Sequence, residues 1–339
     1  MPPSGRGAGA IGFALVICMS LVGGCTSKSS PTEPSTPNQS TSAVRGVVVE
    51  ALTGQPIDAA TLSFTVAGSP QTLTTSGGGI WQLTDGRLPG DVIIEISAPG
   101  YLTRRTHLQS VTSGGQISID LIRDAAPFSL EFYRQLVRNQ FDDPSSLLRL
   151  KRWTRNPNFY VDTRNPRDGD ELSSSERDLV RSVIQGSVAQ MTGGRLAAGT
   201  VEFAAGARGE RPGVVNVSFV NQPGNEFCGW SMVGTDPGSL TLNLASRCDT
   251  PCGTIAPRTL AHEVGHALGF YHVARGDVLS TNWSASDCGS TTMSRMEEHH
   301  ARLAYARPPG NRDTDFDPLS TLFAEPAEAP AVISCPLRR

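Results

Sequence analysis

His262-Glu263-Val264-Gly265-His266-Ala267-Leu268-Gly269-Phe270-Tyr271-His272 is the stretch from which the rest of the chain can be placed. His262 and His266 are four residues apart, so on a helix they share one face about a turn from each other. Two imidazoles so placed can bind one tetrahedral ion. Gly269 lets the backbone leave the helix through a conformation that a residue with a Cβ resists, and the chain can then return His272 to the same ion. Three neutral imidazoles keep the full charge of the metal and leave its fourth position open, which is the arrangement of a catalytic Zn2+ site. Such an ion lowers the pKa of a bound water to about 7. Glu263 follows the first ligand directly and is expected beside that water as the general base. The chain has six histidines, and the accidental probability of three of them meeting this spacing with Glu and Gly in place is on the order of 10⁻⁵.

Working outward, Ser290-Thr291-Thr292-Met293-Ser294 follows the histidine run at a short distance. The pattern H-E-x-x-H-x-x-G-x-x-H with a later methionine turn resembles the metzincin metallopeptidases. The resemblance implies a hydrophobic floor beneath the metal at Met293, with Met296 as runner-up. It also implies peptide-bond hydrolysis on an α+β domain. Neither methionine is followed two residues later by tyrosine, so the tyrosine ligand of the astacin and serralysin branches has no counterpart and the matrixin-like branches fit better. Substrate is expected to lie extended along a strand at Ser239 to Leu244, as an added strand on a sheet edge. The fold resemblance runs from about Asn158 to Tyr305. Other expected elements are helices at Phe128 to Phe141, Glu171 to Met191 and Arg295 to Tyr305, and strands at Asn158 to Asp162, Thr200 to Ala204 and Val214 to Val220. The whole domain is placed at 127–339.

Between 43 and 124 the pattern is different. Short alternating runs start at Arg45, Ala60, Gln71, Ile80, Asp91, Leu102 and Gln116, separated by turn chemistry such as Thr53-Gly54-Gln55-Pro56 and Pro99-Gly100. Seven strands in some eighty residues indicate a small β-sandwich. Gly46-Val47-Val48, Thr53-Gly54-Gln55-Pro56-Ile57, Gly79-Ile80-Trp81 and Ala98-Pro99-Gly100-Tyr101 resemble the carboxypeptidase regulatory-like, transthyretin-like family, whose modules are non-catalytic spacers or binding modules. The fold expected is therefore multidomain: an N-terminal all-β sandwich and a C-terminal α+β metzincin-like zinc peptidase domain.

The first residues bear on the compartment. The apolar run Ile11 to Val22 after Arg6 is too short for a spanning helix and has the form of a signal-peptide core. Leu21-Val22-Gly23-Gly24-Cys25 resembles a bacterial lipoprotein cleavage box. That resemblance implies a signal peptide at 1–24, lipidation of Cys25, export to the cell envelope and a membrane partner reached through the acyl chains. In a Gram-negative host Thr26 favours the outer membrane. Residues 25–42 are Ser-, Thr- and Pro-rich and have the composition of a tether. The net charge of -3 argues against nucleic acid as a partner.

Five cysteines remain after the signal, Cys228, Cys248, Cys252, Cys288 and Cys335, so at most two pairs form within one chain. A zinc–thiolate cluster around Cys248 and Cys252 competes with disulfides. Two other readings of the whole stand beside the peptidase. One is a lipid-anchored binding or adhesion protein with a structural metal, for which Cys288 could be the fourth ligand. The other is a metallohydrolase acting on a non-peptide amide or on glycan-linked peptide. Asp313, Asp315 and Asp317 read as a solvated acidic turn, and His299-His300 point to two faces of one helix.

Overall fold

The computed structural model describes residues 44–83, 92–108, 116–281, 288–318 and 331–336. Cys25, the signal and the tether lie outside the described residues.

The N-terminal region is built from seven strands: β1 (Val44–Glu50), β2 (Thr61–Val66), β3 (Ser69–Thr74), β4 (Ile80–Leu83), β5 (Val92–Ser97), β6 (Arg104–Leu108) and β7 (Gln116–Leu121). They form a three-stranded sheet in the order β4-β1-β7 and a four-stranded sheet in the order β3-β2-β5-β6. Alternation along β1 and β5 turns Val44, Val48, Val92, Ile94 and Ile96 inward. With Trp81, Leu62 and Leu121 they make one apolar cluster. Gly46 is required there, since a Cβ would stand 2.4 Å from the Trp81 ring.

The second region carries α1 (Leu130–Arg138), β8 (Asn158–Asp162), α2 (Ser174–Met191), β9 (Val201–Ala204), β10 (Val214–Val220), β11 (Phe227–Met232), β12 (Gly238–Asn243), α3 (Pro257–Ala267), α4 (Arg295–Tyr305) and β13 (Val332–Pro336). One six-stranded sheet runs β13-β11-β12-β10-β8-β9. Its pairs among β12, β10, β8 and β9 are parallel, and β11 is antiparallel to both of its neighbours. The interior of β10 alternates, with Val215, Val217 and Phe219 buried, and packs into a core shared with α2 and α3. Both α2 and α4 begin in capping boxes, Ser173 with Glu176 and Ser294 with Glu297. Each serine and glutamate satisfies amides that the first helical turn leaves without partners.

The structure corrects three expectations. The strand at 239–244 is β12, which lies between β10 and β11 and offers no edge to a substrate. Two strands, β11 and β13, are absent from the sequence reading. Asp315 and Asp317 are buried, 1% and 6% exposed, not solvated. The turn that carries them closes against the N-terminal region: the amide of Arg105 donates to Asp315 O at 3.1 Å and that of Asp317 to Arg105 O at 2.8 Å. Arginines from both regions neutralise its carboxylates.

The cysteines are paired Cys228–Cys248 and Cys252–Cys288. Cys248 and Cys252 thus belong to different disulfides, which removes the thiolate cluster. Cys288 is bonded to sulfur and is no ligand in this structure.

Candidate metal centre

α3 starts at Pro257, whose missing N–H costs nothing at a first helical turn. It lies between α2 and the strands β11 and β12. Its end is a Schellman motif: the amide of Phe270 donates to Gly265 O at 3.1 Å, and that of Gly269 to His266 O at 2.9 Å. Gly269 has φ +111°, and a Cβ there would stand 2.0 Å from Lys151 O. Positive φ and this close backbone approach both require glycine. The last carbonyls of the helix are also taken up, Ala267 O by the Trp153 indole at 2.8 Å and Leu268 O by the Tyr305 hydroxyl at 2.8 Å. The chain then turns back, fixed by Tyr271 N–H to Leu136 O at 2.8 Å, and delivers His272.

The structure brings together the three imidazoles singled out in the sequence. Nε2 of His262 lies 2.8 Å from Nε2 of His266 and 3.2 Å from Nε2 of His272. All three side chains are buried, at most 3% exposed. Each Nδ1 has its own acceptor: Val278 O at 2.6 Å for His262, Phe270 O at 2.8 Å for His266, and the Asp142 carboxylate at 3.0 Å for His272. With the protons held on Nδ1, three Nε2 lone pairs face one point. Left alone these lone pairs repel, and a cation resolves the conflict. Burial, followed by the neighbouring His272, pushes the His262 imidazole down to about 3. Burial, then His262 and His272, holds His266 well below its usual range. Both imidazoles are therefore neutral, as ligands must be.

Glu263 is fully buried, and neither carboxylate oxygen has a hydrogen-bond partner among the described residues. Burial holds its carboxyl well above the usual range. An unpartnered buried carboxylate is costly, and a cation beside it offsets that cost. Its backing is Gly229 of β11, where a Cβ would meet Oε1 at 2.3 Å. A set of three imidazoles whose ligand nitrogens lie within 4.8 Å of one another, two of the Nε2 separations being 2.8 and 3.2 Å against the roughly 3.3 Å of tetrahedral Zn–N bonds, fits zinc. The cofactor of this centre is Zn2+.

Met293 is buried, 4% exposed, in the same core as Val264 and Leu279. Met296 is 39% exposed. His300 serves the fold: its Nδ1–H donates to Met296 O at 2.7 Å, and its Nε2 accepts from the Ser129 amide at 2.9 Å.

Two contributors escape a reading of the sequence. Asp142 holds His272 from 130 residues away. Glu297 accepts the amides of Asp277, Val278 and Leu279 at 2.9, 3.1 and 2.7 Å, and so fixes the carbonyl that His262 uses.

Residues 201–281 match the model of the astacin peptidase family, about a quarter of the chain. That family is one of zinc-dependent peptidases, and the site described has the metzincin-like form. No curated protein sequence matches the chain. Among solved structures, metalloproteinase-II from Bacteroides fragilis aligns over 77% of this chain and 84% of its own at 10% identity and a TM-score of 0.33. Shorter likenesses include a DUF3823 family protein from Parabacteroides merdae, at 14% identity over 24% of this chain and 45% of that one, TM-score 0.19. The Bacillus anthracis TIE protein matches at 14% identity over 25% of this chain and 17% of its own, TM-score 0.20. The chain thus spans less than half the length of these last two.

Proposed function

We propose that the chain is a zinc-dependent endopeptidase of the matrixin-like kind. The observation that carries this reading is the convergence of three Nε2 lone pairs beside an unpartnered, buried Glu263. His262, His266 and His272 would hold the ion, which when bound supplies Lewis acidity to a carbonyl and acidity to water. The remaining work belongs to side chains. Glu263 takes a proton from the attacking water and carries it to the leaving amine. Asp142 and the carbonyls of Val278 and Phe270 keep the Nδ1 protons in place while this happens. The second residues after Met293 and Met296 are Arg295 and Glu298, so no tyrosine stands two residues after either methionine. This favours the matrixin-like branch.

Loss of the base leaves the ligands intact. Glu263→Ala is expected to bind one equivalent of zinc and to lose turnover by about a thousandfold or more, general-base and associated stabilisation together. Zinc analysis beside a generic peptide assay measures both. Wild-type-like turnover in the variant would remove Glu263 from the mechanism. A structural metal is disfavoured because Cys288, the candidate fourth ligand, is committed to a disulfide.

The N-terminal strands serve as a carboxypeptidase regulatory-like spacer, and Cys25 anchors the exported protein by acyl chains. Support for the anchor is the cleavage-box sequence, and no helix of the described residues is long and apolar enough to cross a membrane. Cys25→Ser is expected to shift the protein from the membrane pellet to the supernatant of fractionated cells. Retention in the pellet after a salt wash would refute lipidation as the anchor.

A further inference from the structure

A peptide bound to such a site as an added strand needs a free sheet edge close to the catalytic carboxylate. Without β13 the sheet would end in β9 on one side and β11 on the other. Of these two edge strands, β11 lies against Glu263, through Gly229. That edge is taken by this chain's own C-terminal segment. β13 runs antiparallel to β11 with Cys335 opposite Gly229, Ser334 opposite Trp230, Ile333 opposite Ser231 and Val332 opposite Met232. Its backbone therefore passes Gly229 at one strand spacing, about 4.8 Å, at the level of the residue that backs Glu263.

The segment is fastened on the side of the third ligand. Ile333 is 9% exposed and packs with Val233 and with Tyr271, the residue before His272. The amide of Val233 donates to Ala331 O at 2.9 Å. Meanwhile Glu263 and the three histidines are each 3% exposed or less, an enclosed state for a centre that must admit a polypeptide.

We infer that residues 331–336 occupy the strand position of the substrate, so that the full chain is self-inhibited and becomes active when its C-terminal segment is withdrawn or removed. This rests on the peptidase reading above. A tethered segment acts at an effective concentration in the millimolar range, so an intrinsic affinity of only about 0.1 mM suppresses turnover roughly tenfold.

The test compares zinc-loaded full-length protein, a form ending at Pro330, and the full-length variant Ile333→Asp, each with zinc content measured. Hydrolysis of unfolded casein and of a quenched peptide library is followed. The expected result is a rise in kcat/KM of about tenfold or more on truncation and a smaller rise for Ile333→Asp. A synthetic peptide of residues 331–336 added to the truncated form should inhibit competitively. Should the truncated form fail to fold, Ile333→Asp decides on the same readout. Equal or lower turnover without the paired segment overturns self-inhibition and leaves the peptidase reading standing. No turnover in any form overturns the peptidase reading, and the inhibition with it.

Discussion

The Asp142 carboxylate lies 3.0 and 3.2 Å from Nδ1 of His272. A ligand imidazole needs its proton held on the far nitrogen, both to fix the ring and to raise the basicity of the near one. Asp142→Ala is therefore expected to weaken zinc binding by about 10–100-fold with unchanged circular dichroism, as measured by competition with a chromogenic chelator. Unaltered affinity would mean that the Tyr271 amide and the Gly269 turn orient His272 unaided. The three converging histidines, the buried Glu263 beside them and the turn at Gly269 are all legible in eleven consecutive residues, because helix period and glycine stereochemistry are local. Asp142 is not, since only the tertiary fold brings α1's end to His272. Met293 and Met296 differ in burial, 4% against 39% exposed, which the sequence alone leaves open.

At the scale of elements, the N-terminus of α4 organises the ligand loop. Glu297 closes a capping box with Ser294, accepting its amide at 2.7 Å and its hydroxyl at 2.8 Å. The same carboxylate gathers the amides of 277–279, and a Cβ on Gly276 would stand 2.5 Å from its Oε1. Val278 O then meets His262. Replacing Glu297 by Gln turns an acceptor oxygen into a donor facing buried N–H groups. The expected cost is about 2 kcal/mol or more, seen as a lower thermal midpoint together with weaker zinc retention. A lower midpoint with zinc affinity intact would separate the loop from the site. The S-x-x-E pattern of the cap can be read from sequence, but the loop amides that share it cannot. β11 is hidden in the sequence because Phe227-Cys228-Gly229-Trp230 carries no alternation, and its glycine reflects an approach to Glu263 and not strand propensity. β13 is hidden because five residues ending in proline make a strand only when β11, about a hundred residues earlier, offers the edge.

Across the whole molecule, the N-terminal strands and the zinc-binding half are joined by buried charge. Arg307, fully buried, donates to Asp315 at 2.6 and 2.8 Å and to Asp120 of β7 at 2.8 Å. Arg104 of β6 donates to Asp317 at 2.7 Å and pairs with Asp120 as well. Burial acts against ionisation of Asp120, but Arg307 and Arg104 outweigh it and hold its carboxyl below the ordinary value of 3.8. Its contribution to stability is therefore whole above about pH 4 and is lost as pH falls through the lower folded value. The composition makes two regions readable, and the seven-strand pattern locates the first. Their union is not readable, because three aspartates in a polar turn have the same sequence whether water or arginine faces them. Asp315→Ala tests the union. The variant removes two hydrogen bonds from Arg307 and one from the Asn311 amide at 3.0 Å, leaving a guanidinium partly unpaired in a dry interface. Breaking such a pair costs about 3–5 kcal/mol, whereas an exposed pair would cost about 1 kcal/mol or less. The wild-type chain is expected to unfold calorimetrically in one transition above about pH 5, with Trp81 in the first core and Trp153 in the second reporting the same midpoint. In Asp315→Ala the midpoint drops and the two reporters separate, because the turn no longer binds the N-terminal strands. Coincident transitions at the wild-type midpoint would show that the apolar contacts alone join the halves, and that the Asp315–Arg307 pair contributes nothing to their union.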